Sequence, residues 1–333
     1  MLDRFIQIVL TQRLLVLLFT IVLAVAGLMA WKSLPIDAFP DVTNVQVMVL
    51  TDAPGLASAD VEQRITAPVE LAMQGLPNVR EIRSMSKSGL SQVIIVYEDG
   101  TDIYFCRQLV FERIQAAKEQ LPEWAEPEMG PISTGLGEIY QYTLESTERS
   151  PMELRTMQDW LIAPQLRTLT GVNEVNSFGG FVKQFHVLVD PDSLRKYGLA
   201  LHEVVTAIEA NNANAGGNFI VKGWEQSYVR SLGMLGGIED IEGIVLKSKD
   251  GAAVFLRDVA KVEVGPMTRQ GAVSRDGKGE AVAGMVIMLR GENSKIVVDR
   301  VKKAIPAIQA SLPKDVKINP FYDRTALIEA CIQ

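Results

Sequence analysis

The chain is poor in the residues that staple small folds or bind metals by themselves. Cysteine occurs twice, at Cys106 and Cys331, and histidine twice, at His186 and His202. Two thiols so far apart give no disulfide framework and no zinc-ligand spacing. Cys106 falls in a helical apolar stripe, where a free cysteine behaves as a small buried hydrophobe. His186 alternates with Phe185 and Val187 and reads as a surface or pairing position on a strand. A basic surplus is missing as well. The net charge is −7 and no basic stripe or aromatic–basic patch occurs, which argues against nucleic acid as a partner. Catalytic signatures are absent: no Walker loop, no nucleophile elbow, no His-Glu-x-x-His and no close His–carboxylate constellation. An enzyme is the poorest reading of this chain.

Long apolar runs are also scarce, and the one that exists organises everything else. Leu14 to Trp31 is an uncharged stretch of 18 residues, and the roughly 300 residues after it contain no second one. Arg4 and Arg13 precede it, and Asp37 and Asp41 come soon after. That asymmetry puts the N-terminus in the cytoplasm and the rest of the chain on the far side of the membrane. A cleavable signal peptide competes, because Ala24-Val25-Ala26 resembles a cleavage site. Against it, the apolar run continues to Trp31, and an amphipathic segment with Leu2, Phe5, Ile6, Val9 and Leu10 precedes Arg13. A buried core helix is disfavoured by an apolar surface on every side. The whole chain is 47% hydrophobic, enough for a packed core across two or three domains.

That part carries an internal repeat. Ala67-Pro68, Gly75-Leu76 and Val79 recur as Ala163-Pro164, Gly171-Val172 and Val175, each shifted by 96 positions. In the first copy Val45, Val47 and Val49 alternate as in a strand. A helix is expected from about Ser58, with Val61, Ile65, Val69 and Met73 on one face, and Pro68 should kink or split it. Strands Val79 to Ser86 and Gln92 to Tyr97 come next, then a helix from Ile103 to Leu121 with Cys106, Val110, Ile114 and Ala117 inward. A short strand is expected near Met129. This order is the split βαβ, or ferredoxin-like, arrangement. The second copy begins with strand Ile139 to Leu144, helix Met152 to Thr170, and strands Val172 to Phe178 and Val182 to Val189. An insertion from about Pro191 to Gln270 holds a helix and the polar stretch Asn211 to Asn218. The unit resumes with strand Ala281 to Leu289, a helix from Ser294, and Val316 to Phe321. The fold class is α+β: a transmembrane helix, then two ferredoxin-like subdomains, the second carrying an inserted one. Residues 326–333 read as a helix cut off midway, as in the N-terminal piece of a longer protein.

Several stretches together carry a resemblance. LPIDAFPDVTNVQV (Leu34 to Val47), APG (Ala53 to Gly55), EDGTDIYFCRQLVFERIQ (Glu98 to Gln115), GPISTGLGEIYQY (Gly130 to Tyr142) and FLRDVAKVEVGP (Phe255 to Pro266) resemble the heavy-metal efflux branch of the resistance-nodulation-division transporters. FYDRTALI (Phe321 to Ile328) resembles the approach to that family's second membrane helix. The resemblance spans essentially the whole chain and implies the first third of a proton-driven cation exporter in the bacterial inner membrane, with most of this chain periplasmic. It implies a homotrimer that works with a periplasmic adaptor and an outer-membrane channel. It also implies a division into residues 1–34 (amphipathic segment and membrane helix), 35–135 (first pore subdomain), 136–190 with 271–325 (second pore subdomain), and 191–270 (docking subdomain, with a hairpin around Asn218 to Gly236 that reaches a neighbouring protomer).

The same resemblance points to the cargo. Family members exporting divalent cations read GLGE where this chain has Gly135 to Glu138, and the copper and silver branch tends to an aromatic residue at Glu138. That branch also carries a methionine where this chain has Thr268, beside Met267. Carboxylate oxygen suits borderline divalent ions, thioether suits monovalent copper. Zinc, cobalt, nickel or cadmium is therefore the expected transported ion, with Glu138 as candidate ligand, Glu174 as a second, and no resident cofactor. Without the family, Glu138 is an ordinary surface carboxylate, Asp190 and Asp192 are expected to cap or solvate a turn, and Met73 and Met288 pack in cores. The membrane run holds no ionisable group, so the proton relay falls beyond residue 333. Aromatic content of 7% speaks against a drug-exporting relative. A single-pass periplasmic sensor or binding module is the remaining alternative.

Overall fold

The computed structural model describes residues 11–33, 43–214, 216–230, 233–249, 252–269 and 271–332. The amphipathic N-terminal segment, and Asp37 and Asp41, lie outside the described residues. The chain opens with helix α1 (Arg13–Ser33). Arg13–Ala30 is long and apolar enough to cross a membrane, and none of it is buried within the protein. No other described helix passes the same test. A length of 21 residues gives about 30 Å of helix, the thickness of a hydrocarbon core.

Next come strand β1 (Gln46–Ala53), helix α2 (Ser58–Val61), a π-helical turn (Glu62–Thr66) and helix α3 (Ala67–Met73). Strands β2 (Val79–Lys87) and β3 (Gly89–Tyr97), helix α4 (Ile103–Ala117) and strand β4 (Pro127–Met129) complete the first copy. The second copy runs through β5 (Glu138–Glu145), α5 (Pro151–Met157), a π turn (Gln158–Ile162), α6 (Ala163–Arg167) and β6 (Val172–Phe178). After it come β7 (Lys183–Val189), α7 (Pro191–Tyr197), α8 (Leu201–Ala210), β8 (Gly216–Lys222), β9 (Glu225–Arg230) and α9 (Ile238–Glu242). Last are β10 (Val245–Lys249), β11 (Ala252–Phe255), β12 (Ala260–Pro266), β13 (Val282–Met288), α10 (Ser294–Ser311), β14 (Lys317–Asp323) and α11 (Arg324–Ile332).

Contacts group these elements into two compact units. One holds residues 1–145, 159–178 and 283–333, the other 146–158 and 179–282. The first unit contains two four-stranded sheets, ordered β2-β3-β1-β4 and β14-β5-β13-β6. In each, the third strand of its copy lies between the first and second, and the fourth flanks the first. Val47, Val49 and Ala53 of β1 are buried on alternate positions, as their spacing predicts. They pack with Val61, Ile65, Val69 and Met73 of the helix and with Cys106, Val110 and Ile114 of α4.

The two π turns are the plainest structural echo of the repeat. Each is five residues long, each ends directly before Ala-Pro, and the two are shifted by the same 96 positions as the sequence. Proline lacks an N–H and its ring clashes with the carbonyl four residues back. A wider turn removes that conflict: the Ala67 N–H reaches back five residues to the Glu62 carbonyl. The helix is thus split at Pro68, as its sequence predicts. The same split occurs at Pro164, where the apolar spacing alone predicts one continuous helix from Met152 to Thr170. Inside the first π turn, buried Thr66 Oγ1 lies 2.8 Å from both Ser86 Oγ and Ser91 Oγ, which ties the turn to the β2–β3 hairpin.

The second unit has its own core, with Leu199, Val204, Ile241, Ile244, Leu256, Val259 and Val262 buried together. Strand β7 pairs with β12, from Val189 opposite Ala260 to Lys183 opposite Pro266, and not with the four-stranded sheets. Gly179 and Gly180 turn the chain into it at φ +70° and +66°. A Cβ at Gly179 would sit 2.1 Å from the Ala281 carbonyl oxygen, and one at Gly180 2.7 Å from that of Pro151. The Gly180 N–H donates to Glu280 at 3.1 Å, and Glu280 also pairs with Arg269, whose guanidinium stacks 4.2 Å above Phe181. Asp190 caps α7 through the Asp192 and Ser193 N–H groups, the role expected of it. A hydrogen bond from the Ser193 hydroxyl, and then the one from the Asp192 N–H, hold its carboxyl below the usual range. The polar stretch before β8 is also structural: Asn214 accepts from Gly233 and Met234, and Asn212 from Leu235.

Candidate functional site

Glu138 opens β5 at the end of a loop that is fixed almost residue by residue. Arg107 donates to the Gly130 carbonyl at 2.6 Å, the Arg290 N–H to Ile132 at 3.2 Å, and the Arg324 guanidinium to Leu136. Gly137 donates to Thr134 at 2.8 Å and accepts from Met288 at 2.7 Å. Space at Gly137 is tight: an added Cβ would meet the Thr134 oxygen at 3.0 Å and Ile287 Cγ2 at 3.2 Å. The carboxylate itself is exposed and accepts from Gln141 Nε2 at 3.1 Å.

Glu174 lies on β6, partly buried, directly opposite Ile287 of β13. The Met288 N–H bonds the Gly137 carbonyl, just ahead of β5, so β13 runs between the strands that carry Glu138 and Glu174. Among the described residues no three His, Cys, Asp or Glu side chains gather closely enough to hold a metal ion.

The other candidates fall where their residue types favour. Met73 and Met288 are buried in cores, and Cys106 is buried, its thiol pushed up by burial and then by Asp102. His186 pairs across the strands with Glu263. Glu263 is held low first by its hydrogen bond from Lys261. Sequence reasoning missed Arg107 and Arg324, whose guanidinium groups hold the Glu138 loop, and Arg290, which holds it through its main-chain N–H. Arg324 stands in the run Phe321 to Ile328, and an arginine at a strand-to-helix junction was the available signal.

Comparison with known proteins places this geometry. The chain belongs to the AcrB/AcrD/AcrF family, whose profile matches residues 5–333. Within it, the chain falls in the heavy-metal efflux branch of the resistance-nodulation-division transporters. It is 48% identical over 339 residues to protein HelA of Legionella pneumophila, covering 100% of this chain and 32% of that protein. It is 46% identical over 341 residues to the cobalt-zinc-cadmium resistance protein CzcA of Cupriavidus metallidurans, with the same coverage of 100% and 32%. A crystal structure of a heavy metal efflux pump superposes with a TM-score of 0.87 at 36% identity, covering 96% of this chain and 32% of that one. The chain thus spans about a third of the length of the relatives it matches.

Proposed function

We propose that this chain forms part of a proton-driven transporter that exports divalent heavy-metal ions of the zinc, cobalt, nickel and cadmium class. The observation that carries the reading is the 46% identity, over the whole chain, to a protein named for cobalt, zinc and cadmium resistance. A carboxylate at Glu138, and Thr268 where the copper and silver branch carries a methionine, agree with that class. In this reading α1 anchors the protein in the bacterial inner membrane, its N-terminus is cytoplasmic and the bulk is periplasmic, as the cations before the apolar run favour.

Residues 35–135, and 136–190 with 271–325, act as two ferredoxin-like pore subdomains. The strand orders β2-β3-β1-β4 and β14-β5-β13-β6 support this, since each has the one pattern of a split βαβ pair. Residues 191–270 form a docking subdomain whose β8–β9 hairpin reaches the next protomer of a homotrimer. Trp224, Tyr228, Phe219, Ile220 and Val221 on that hairpin are all exposed, an apolar surface in search of a cover. A periplasmic adaptor and an outer-membrane channel complete the export path. Glu138, with Glu174 on the strand beyond β13, touches the ion as it passes, and the proton-relay groups lie outside these residues.

The test is metal sensitivity of cells carrying the full-length gene, wild type against Glu138→Ala, across zinc, cobalt, nickel, cadmium, copper and silver. Loss of resistance to the divalent ions alone, at equal protein level, is the expected result. Resistance to copper or silver that the substitution leaves untouched would overturn both the metal class and the role of Glu138. Cells expressing residues 1–333 alone are expected to export nothing.

A further inference from the structure

Asp323 and Arg324 end β14 and begin α11, and together they grip the chain on both sides of Glu138. Arg324 donates to the Leu136 carbonyl, two residues before it. Asp323 is the strand partner of Tyr140, two residues after it. The Asp323 carboxylate is itself fixed: Oδ1 accepts from the Thr325 N–H at 2.9 Å, capping α11, and Oδ2 pairs with Lys302 of α10. Arg324 is only 3% exposed. A guanidinium held out of water needs strong acceptors, and a charge-assisted bond to a carbonyl fixes that stretch of main chain more firmly than a neutral one. Between the two grips, Gly137 is bonded through both its N–H and its carbonyl.

We infer that Arg324 is a positioning residue for Glu138: by holding the Leu136 carbonyl it sets the direction in which the Glu138 carboxylate meets the ion. This rests on the reading of Glu138 as an ion-path group. The arrangement also joins that carboxylate to the start of α11 with no flexible linker between, so a movement of α11 re-aims Glu138.

The experiment is zinc transport by the full-length transporter in proteoliposomes, with KM and kcat read separately. Arg324→Gln is expected to raise KM about tenfold with kcat within about twofold, the scale of losing a partner that orients a metal ligand. Arg324→Lys, which keeps a cationic donor, is expected to recover most of the loss. In a Glu138→Ala background Arg324→Gln is expected to add nothing, because the two act through one group. An equal KM rise in both backgrounds overturns the inference and leaves Arg324 a fold-supporting residue. An unchanged KM in Glu138→Ala alone overturns the ion-path reading first, and this inference with it. Should Arg324→Gln fail to accumulate, Asp323→Asn loosens the same junction without stranding a buried cation. It is expected to raise KM by a smaller factor in the wild-type background only, and additivity there also overturns the inference.

Discussion

The Arg290 guanidinium donates to the Thr43 carbonyl at 2.7 Å and to the Asn44 carbonyl at 3.1 Å. One side chain just past β13 thereby holds the entry of β1, while its own N–H bonds Ile132 of the loop between the two copies. Two bonds from a charged donor are worth about 1.5–3 kcal/mol each before relaxation. Arg290→Ala is expected to lower the stability of the full chain in detergent by about 3 kcal/mol, read as a fall in Tm. Arg290→Lys should recover less than half, because a single ammonium cannot span two carbonyls as a planar fork does.

Gly179 tolerates no side chain. Its φ of +70° disfavours any Cβ, and that Cβ would collide with the Ala281 main chain, which cannot swing aside as a flexible side chain could. Gly179→Ala is expected to cost more than about 2 kcal/mol and to loosen β7 from β12. Hydrogen exchange should show lost protection across Lys183–Val189 with the β1–β3 amides unchanged.

Tyr97 Oη is buried with no hydrogen-bond partner among the described residues. Tyr97→Phe is therefore expected to stabilise the protein at pH 7 by about 1–2 kcal/mol. Burial, then Cys106, pushes the Tyr97 hydroxyl well above the ordinary tyrosine value of 10.0. The unfolded chain then releases this proton at a lower pH than the folded one. Stability falls as pH rises past 10 in the wild type, and the slope flattens in Tyr97→Phe. Cys106, raised from 9.0 by burial, acts with the same sign and begins lower. Denaturation midpoints from about pH 8 to about pH 11 measure both effects.

Trp224 stands fully exposed at the tip of the β8–β9 hairpin. If the hairpin docks on a second copy, Trp224→Ala should weaken assembly by about 2 kcal/mol or more, as for other buried aromatic anchors. Native mass spectrometry would show a loss of trimer at unchanged Tm of the separated protomer. A trimer that persists unchanged at low protein concentration would put the hairpin elsewhere.

Local pattern carried most of the fold. Alternation over Val45 to Leu50 marks a buried strand, and Cys106, Val110, Ile114 and Ala117 mark the inner stripe of α4, each almost fully buried. Pairing of β7 with β12 is not legible, because partners more than about 70 positions apart leave no mark in a local window. Only the Gly179–Gly180 pair hints at a change of direction. Glu138 is suggested by the family resemblance and Glu174 by the repeat. That β13 runs between their strands depends on a sheet order no local spacing reveals. Arg324 escapes because burial of a cation is decided by the loop it holds, which lies 188 positions away.

The apolar residues Val61, Ile65, Val69 and Met73 recur every four positions, slower than the 3.6-residue turn of an α-helix. Over three turns that mismatch amounts to about one residue, and the wide turn at Glu62–Thr66 absorbs it. Each copy thus holds a spare residue ahead of its Ala-Pro pair. A deletion of one residue there, joined to replacement of the proline, would convert the segment to plain α-helix. The segment works as a vernier: its count can change by one while both ends stay where they are.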